Sequence, residues 1–167
     1  FFICTAPCLA LSIPDEKELG KEFRDEIKKS PILMHDPIIN HMVKDIGRHI
    51  LSVLPPQPFD YSFYVVNSGV FNAFAAPGAN IVIYRGLITS LDSIDELAGI
   101  IGHEIAHSVS RHISEAINRS RYINIGSLAG LLVGAVVAAN TDNNEAASSL
   151  MTGSLAVGHT AMLAYTR

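Results

Sequence analysis

The sequence has no tryptophan and only two cysteines, Cys4 and Cys8, both close to its start. A disulfide framework is therefore excluded, because such a framework needs cysteines spread along the chain. Charged residues make up only 17% of the chain, and the net charge is −4 at pH 7. No run of lysine and arginine forms a basic patch, so a nucleic-acid partner is not expected.

The length of the chain, 167 residues, is sufficient for one domain with a hydrophobic core. The hydrophobic fraction of 49% fits either a well-buried core or a protein of the cell envelope with a membrane-facing surface. The first twelve residues are apolar and lack an initiating methionine, which is typical of the end of a signal peptide, with Ala10-Leu11-Ser12 as a cleavage site. We therefore predict a signal-peptide remnant or disordered terminus at 1–12 and a domain at 13–167. An ordered N-terminal strand is the alternative, and a lipid-modified Cys8 is a weaker one because Pro7 precedes it where a small residue is required.

The most informative segment is 103–107, with the sequence HEIAH inside an apolar helical pattern. On a helix, His103 and His107 lie on one face, where two imidazoles can occupy two corners of a tetrahedral zinc site. Glu104 is offset by one position, so its carboxylate can reach water at the metal and serve as the general base. The same pattern also occurs in helices with ordinary histidines. In a buried helix, however, these side chains are costly unless a partner such as a metal compensates.

The helix that carries this segment is predicted to begin after Asp92 or Ser93, with Glu96 completing a capping box. It is expected to continue through His112. On one continuous helix His112 lies on a different face from His107, so it is interpreted as supporting the site or the fold rather than binding metal.

Two helices, three strands and a short helical turn at 86–91 are predicted ahead of this helix. The first helix begins at Pro14 and ends before Ser30, and the second is capped by Asp36 and runs to about Leu54. The strands are expected at 61–66, 70–76 and 81–84. Three short strands in succession favour a small, mainly antiparallel sheet of three or four strands, and hence a mainly helical α+β domain.

The segment 123–139 is nearly continuously apolar and rich in glycine and alanine. The segment is too short and too rich in glycine for a membrane-spanning helix, which needs about 20 residues. A buried helix is the preferred interpretation, and a hairpin that dips into a membrane is the alternative. An integral membrane protease is the weaker interpretation. A last helix is predicted from about Glu145 to the end.

Several motifs, taken in order, resemble the zinc metallopeptidase family that includes the CAAX prenyl proteases, HtpX and the periplasmic BepA-like proteases (peptidase family M48). The resemblance covers most of the chain from Pro14 onward. The segments that carry it are ELG at 18–20, NAFAAPG at 72–78, RGL at 85–87, DELA at 95–98, GHEIAH at 102–107 and RH at 111–112.

The resemblance implies a zincin-like domain of the gluzincin type, with one zinc ion bound by two histidines and a glutamate from a later helix. In relatives this glutamate follows a triplet that Tyr165-Thr166-Arg167 resembles, so the third ligand is expected beyond Arg167. The chain is then truncated before its third ligand and is expected to bind zinc more weakly. Three residues could stand in for that ligand, namely Glu115, Glu145 and His159. Glu115 is expected on the same helix as His107, from which it cannot easily fold back.

Two functions remain open from the sequence and the resemblance. The first, which the resemblance implies, is a zinc-dependent endopeptidase of the bacterial periplasm or envelope that acts on unfolded or misassembled proteins, including outer-membrane proteins. Its peptide substrate would extend along the strand that contains Asn72, Ala73 and Phe74. The second is a catalytically incomplete, chaperone-like module that binds extended client peptides along the same strand edge. Peripheral membrane association is compatible with both, and the oligomeric state is undefined.

Overall fold

The computed structural model describes residues 11–119, which form five helices and one three-stranded sheet. The elements in chain order are α1 (Ile13–Lys29), α2 (Pro37–Ser52), β1 (Ser62–Val66), β2 (Ala73–Ala76), β3 (Asn80–Tyr84), α3 (Arg85–Ser90), α4 (Ile94–Val109) and α5 (His112–Arg119).

The α+β class predicted from the sequence is confirmed for this part of the chain. The predictions for Cys4, Cys8, the apolar segment 123–139 and the last helix, with Glu145 and His159, lie outside the described residues. None of the helices between residues 11 and 119 is long and apolar enough to cross a membrane.

Local signals set the starts of the long helices. The Asp36 carboxylate accepts hydrogen bonds from the backbone N–H groups of Ile38 and Ile39, and Ser12 caps α1 through its hydroxyl. Ser12 and the buried Leu11 were predicted to precede the domain, yet in the structure they contact it. The ordered fold thus includes at least these two residues before 13.

The sheet is mixed, with the strand order β1-β3-β2. The central strand β3 pairs parallel with β1 and antiparallel with β2. The prediction of a mainly antiparallel sheet is therefore not borne out among the described residues, because one of the two pairings is parallel.

The loop between β1 and β2 explains this arrangement. Instead of turning back beside β1, it crosses the end of β3, where the Gly86 N–H donates a hydrogen bond to the Ser68 carbonyl at 2.8 Å. A side chain at position 86 would not fit, since a Cβ atom there would lie 2.2 Å from the Gly69 oxygen. The chain consequently enters β2 on the far side of β3, next to Tyr84, whose N–H donates to the Asn72 carbonyl.

The sheet is covered by helices on both faces. Alternate residues of a strand point to opposite faces, so Val82 and Tyr84 join one buried cluster with α1, while Ile81 and Ile83 join another with α2 and α4. All five residues of β3 are buried, as expected for a central strand between two layers. The second cluster holds α4 against the sheet and thereby positions the HEIAH segment.

Candidate metal centre

Helix α4 brings the two histidines of the HEIAH segment together. Its start is fixed as predicted, because the Ser93 hydroxyl accepts from the Glu96 N–H and the Glu96 carboxylate accepts from the Asp92 N–H. The Nε2 atoms of His103 and His107 are 2.9 Å apart, and their rings meet edge to face. Two nitrogens that bind one tetrahedral zinc ion at about 2.0–2.1 Å lie roughly 3.3 Å from each other.

This convergence constrains what can lie between the rings. Two ring nitrogens without hydrogen would repel at 2.9 Å. Either one of them carries a hydrogen that the other accepts, or a cation occupies the space between them. The His103 and His107 pair therefore fits the predicted zinc, for which it offers two ligands.

Glu104 lies on the side of α4 that faces the sheet. The residue is only 4% exposed, and its Oε2 atom has no hydrogen-bond partner among the described residues. Burial raises the pKa of the Glu104 carboxyl, while the charge of His103 and a hydrogen bond from the Ala75 backbone oppose this rise. A carboxylate with one uncommitted oxygen and a raised pKa can accept a proton from water.

His107 remains neutral at physiological pH. Burial, followed by the neighbouring His103 and His112, lowers the pKa of His107 to about 4. Metal ligation requires the neutral imidazole, so this environment favours the form that can bind zinc.

The helix does not continue through His112, and the prediction that it does is wrong. Helix α4 ends at Val109, Arg111 adopts a left-handed conformation with φ of 53°, and α5 begins at His112. The break returns His112 towards the site, where its Nδ1 lies 2.7 Å from the Nδ1 of His107. The interpretation of His112 as a supporting residue fits this contact, although the reason given for it, a separate helical face, does not hold.

The third zinc ligand is not found in the described part of the chain. Between residues 11 and 119, no three or more His, Cys, Asp or Glu side chains are grouped so that they could hold a metal ion. Glu115 lies on α5, not on the helix of His107 as predicted, and belongs to no such group. Glu145, His159 and the expected ligand beyond Arg167 are untested.

The predicted peptide-binding strand, β2, forms an edge of the sheet. The Asn72 carbonyl accepts a hydrogen bond from the Tyr84 N–H of β3. In an antiparallel pair, hydrogen-bonded residues alternate with residues whose N–H and C=O groups point outward, so those of Ala73 and Ala75 point away from β3. The Ala75 backbone reaches Glu104, which places this edge beside the site. No described strand pairs with it.

The side chains of Asn72 and Phe74, which were also predicted to bind substrate, pack within the fold. The Asn72 amide contacts the Tyr84 hydroxyl, and the Phe74 ring packs against the Tyr84 ring at a centroid distance of 6.3 Å. Sequence reasoning missed Glu16, whose carboxylate binds Arg111 from 95 residues away. A buried acidic residue near the start of an amphipathic helix gave no local signal of this contact.

Comparison with known proteins shows which protein family and which individual proteins this chain resembles. The model described as Peptidase family M48 matches residues 37–167. The beta-barrel assembly-enhancing protease of Escherichia coli (strain K12) is 27% identical over 161 residues, which cover 94% of this chain and 32% of that protein. The protease of the same name from Yersinia pestis is 29% identical over 119 residues, which cover 71% of this chain and 24% of that protein.

A mitochondrial protein is also similar. The mitochondrial metalloendopeptidase OMA1 of Arabidopsis thaliana is 41% identical over 69 residues, which cover 41% of this chain and 14% of that protein. Of the relatives described above, the Escherichia coli protein is matched over about a third of its own length, so the chain spans only part of that relative.

Proposed function

Because this chain belongs to peptidase family M48, we propose that it is a zinc-dependent endopeptidase of the bacterial cell envelope. The resemblance predicted from the sequence motifs is confirmed by the family match and by the similarity to beta-barrel assembly-enhancing proteases. The names of these relatives refer to the assembly of beta-barrels, and the substrates proposed for this chain are unfolded or misassembled proteins, including those of the outer membrane.

The observation that carries the proposal is the convergence of His103 and His107 beside a buried carboxylate. Their Nε2 atoms are 2.9 Å apart, and Glu104 presents an oxygen that no described residue engages. His103 and His107 would hold the metal, and a glutamate beyond Arg167 is proposed as the third ligand. When bound there, zinc supplies Lewis-acid chemistry, in which it polarises the peptide carbonyl and acidifies water.

Glu104 is proposed as the general base. Its carboxylate takes a proton from the attacking water and returns that proton to the amine of the departing peptide. The raised pKa of the carboxyl suits both steps, because a stronger base accepts the proton more readily and still releases it to an amine. The hydrogen bond from the Ala75 N–H keeps the side chain oriented towards the site.

The edge of β2 is proposed to hold the peptide in an extended conformation. The N–H and C=O groups of Ala73 face away from β3 and can pair with a peptide backbone as an added strand. Backbone pairing does not depend on side-chain identity, so this edge suits unfolded chains of varied sequence. Asn72 and Phe74 then act indirectly, since their side chains pack on Tyr84 and fix the strand.

The decisive experiment replaces the general base. In the full-length protein, Glu104→Gln should retain zinc and lower casein hydrolysis by about 10²- to 10⁴-fold, since it removes the proton acceptor but no ligand. Asp95→Asn, which neutralises an exposed carboxylate in the first turn of the same helix, serves as the matched control and should stay near the parent rate. Hydrolysis unchanged in Glu104→Gln would remove Glu104 from this role.

Metal removal separates the proposal from the second candidate, a chaperone-like module. The open edge of β2 and the exposed Phe71 next to it favour peptide binding whether or not zinc is present. For an endopeptidase, a chelator should abolish casein hydrolysis and added zinc should restore it. Binding of an unfolded client that is insensitive to chelator, with no hydrolysis under any condition, would instead support the binding module.

A further inference from the structure

The turn between α4 and α5 has an unusual residue at its centre. Arg111 has φ of 53°, in the left-handed region that glycine or asparagine normally occupies at the end of a helix. A residue with a long side chain is unfavourable there, so contacts elsewhere must hold it in place.

Those contacts come from the start of α1. Arg111 donates from Nε and Nη2 to one carboxylate oxygen of Glu16, at 2.9 and 2.8 Å, and from Nη2 to the Leu11 carbonyl at 2.7 Å. The Glu16 side chain is only 4% exposed, so its charge needs the guanidinium as a partner. The ion pair therefore fixes the backbone of the turn relative to α1.

The residue that follows this turn is His112. Because α4 ends three residues before it, at Val109, and the chain reverses at Arg111, the His112 ring reaches back to His107, with 2.7 Å between the Nδ1 atoms. One of these nitrogens must carry the hydrogen and the other must accept it. If His107 Nδ1 donates, its Nε2 carries no hydrogen and its lone pair points towards His103, as a metal ligand requires.

We propose that Glu16 and Arg111 are positioning residues that set His112 against His107, and that His112 holds His107 in the Nδ1–H tautomer. The effect on zinc rests on the proposed function, whereas the effect on the tautomer does not. His112 acts through His107 and does not itself bind the ion.

The first test measures zinc affinity by competition with a chromophoric chelator. His112→Leu removes the acceptor and should weaken zinc binding about 10- to 100-fold, while His112→Asn places an amide oxygen near the position of Nδ1 and should recover most of it. Equal affinity in the parent and both variants would overturn the proposal. A loss of affinity far beyond about 100-fold in a folded His112→Leu would also overturn it, because that result makes His112 a ligand.

The second test asks whether Glu16 acts through His112. Glu16→Gln should weaken zinc binding by about threefold or more in the parent and have little further effect in the His112→Leu background. Ile27→Ala, which removes buried side-chain volume at the other end of α1, controls for lost stability and should leave zinc affinity within about twofold. The same loss in both backgrounds, or an equal loss in Ile27→Ala, would show a structural role alone.

The third test needs no metal. Long-range ¹H–¹⁵N correlation spectra of the zinc-free protein should show His107 as the Nδ1–H tautomer, with its signals assigned by their loss in His107→Gln. In His112→Leu the population should shift towards Nε2–H. An unchanged tautomer would refute the inference even if zinc binds, whereas absent zinc binding with the expected tautomer shift would refute only the proposed function.

Discussion

Glu104 and His107 are both placed where their charged forms are disfavoured. Burial raises the pKa of Glu104 and lowers that of His107, so each environment costs stability that a purely structural role would not require. Perturbed groups of this kind cluster at functional sites, and here they lie within one turn of helix. The site is thus distinguished by what surrounds its residues as much as by the residues themselves.

Gly20 allows α1 to cross the β2–β3 turn with backbone against backbone. A Cβ atom at position 20 would lie 2.6 Å from the Cα of Gly78, and Gly78 itself has φ of 69°. Gly20→Ala should therefore lower the free energy of unfolding by about 1–3 kcal/mol, because neither backbone segment can move easily. Urea denaturation measures this change.

Gly99 provides the matched control for that substitution. It lies inside α4, and a Cβ atom there would have nothing within 4 Å. Gly99→Ala should raise the free energy of unfolding by about 0.5–1 kcal/mol through the better helix propensity of alanine. If Gly20→Ala proved as stable as the parent, the close crossing would not be a constraint on the fold.

Among the elements, the starts of α2 and α4 were predictable from the sequence, whereas the break between α4 and α5 was not. The start of α4 depends on Ser93 and Glu96, which are three residues apart, so the signal is local. The end of α4 depends on Arg111, whose partner Glu16 is 95 residues away. The strands were likewise predictable from their composition, but their order depends on the distant contact between Gly86 and the Ser68 carbonyl.

The same division applies to the candidate site. The spacing of His103 and His107 predicts their common face, since it follows from helix geometry alone. The contact of His112 with His107 could not be predicted, because it requires a break at Arg111, whose side chain binds residues about 100 positions earlier in the sequence. The assignment of these residues to zinc and catalysis stays a prediction.

The edge strand β2 offers a test of peptide binding. Ala73→Pro removes an N–H group that points away from β3, so the sheet should remain intact while a bound peptide loses one hydrogen bond. The KM for an extended peptide should rise about two- to tenfold, which corresponds to about 0.5–1.5 kcal/mol. Steady-state kinetics of the full-length protein measure this change.

Phe74→Pro is the contrasting variant on the same strand. Phe74 pairs with Val82 through its backbone, so proline at position 74 removes a hydrogen bond within the sheet and should lower the melting temperature. An unchanged KM in Ala73→Pro, with the fold intact, would argue against substrate pairing at this edge.

In the described part of the molecule, both the sheet and α1 hold α4 in place. The sheet supports α4 from one side through the cluster that includes Ile101 and Ile105. Glu104 contacts the sheet edge, and Arg111 joins the end of the helix to α1 on the opposite face. A change in the sheet or in α1 can therefore alter the geometry of the histidines. For this reason a substitution of Glu16, which lies away from the histidines, is expected to change zinc affinity.

Buried and half-buried tyrosines predict how the described part of the molecule responds to alkaline pH. Burial raises the pKa of Tyr84 to about 12 and also raises that of Tyr61 and Tyr64. The folded state keeps these protons where the unfolded chain, with a tyrosine pKa of about 10, releases them. The contribution of Tyr84 to stability is thus complete below about pH 10 and is lost as pH rises through 12. For Tyr84 it amounts to about 2–3 kcal/mol.

Urea denaturation at a series of pH values tests this contribution. Tyr84→Phe should lose less stability than the parent between pH 10 and 12. Parallel curves would mean that the Tyr84 hydroxyl titrates normally in the folded protein.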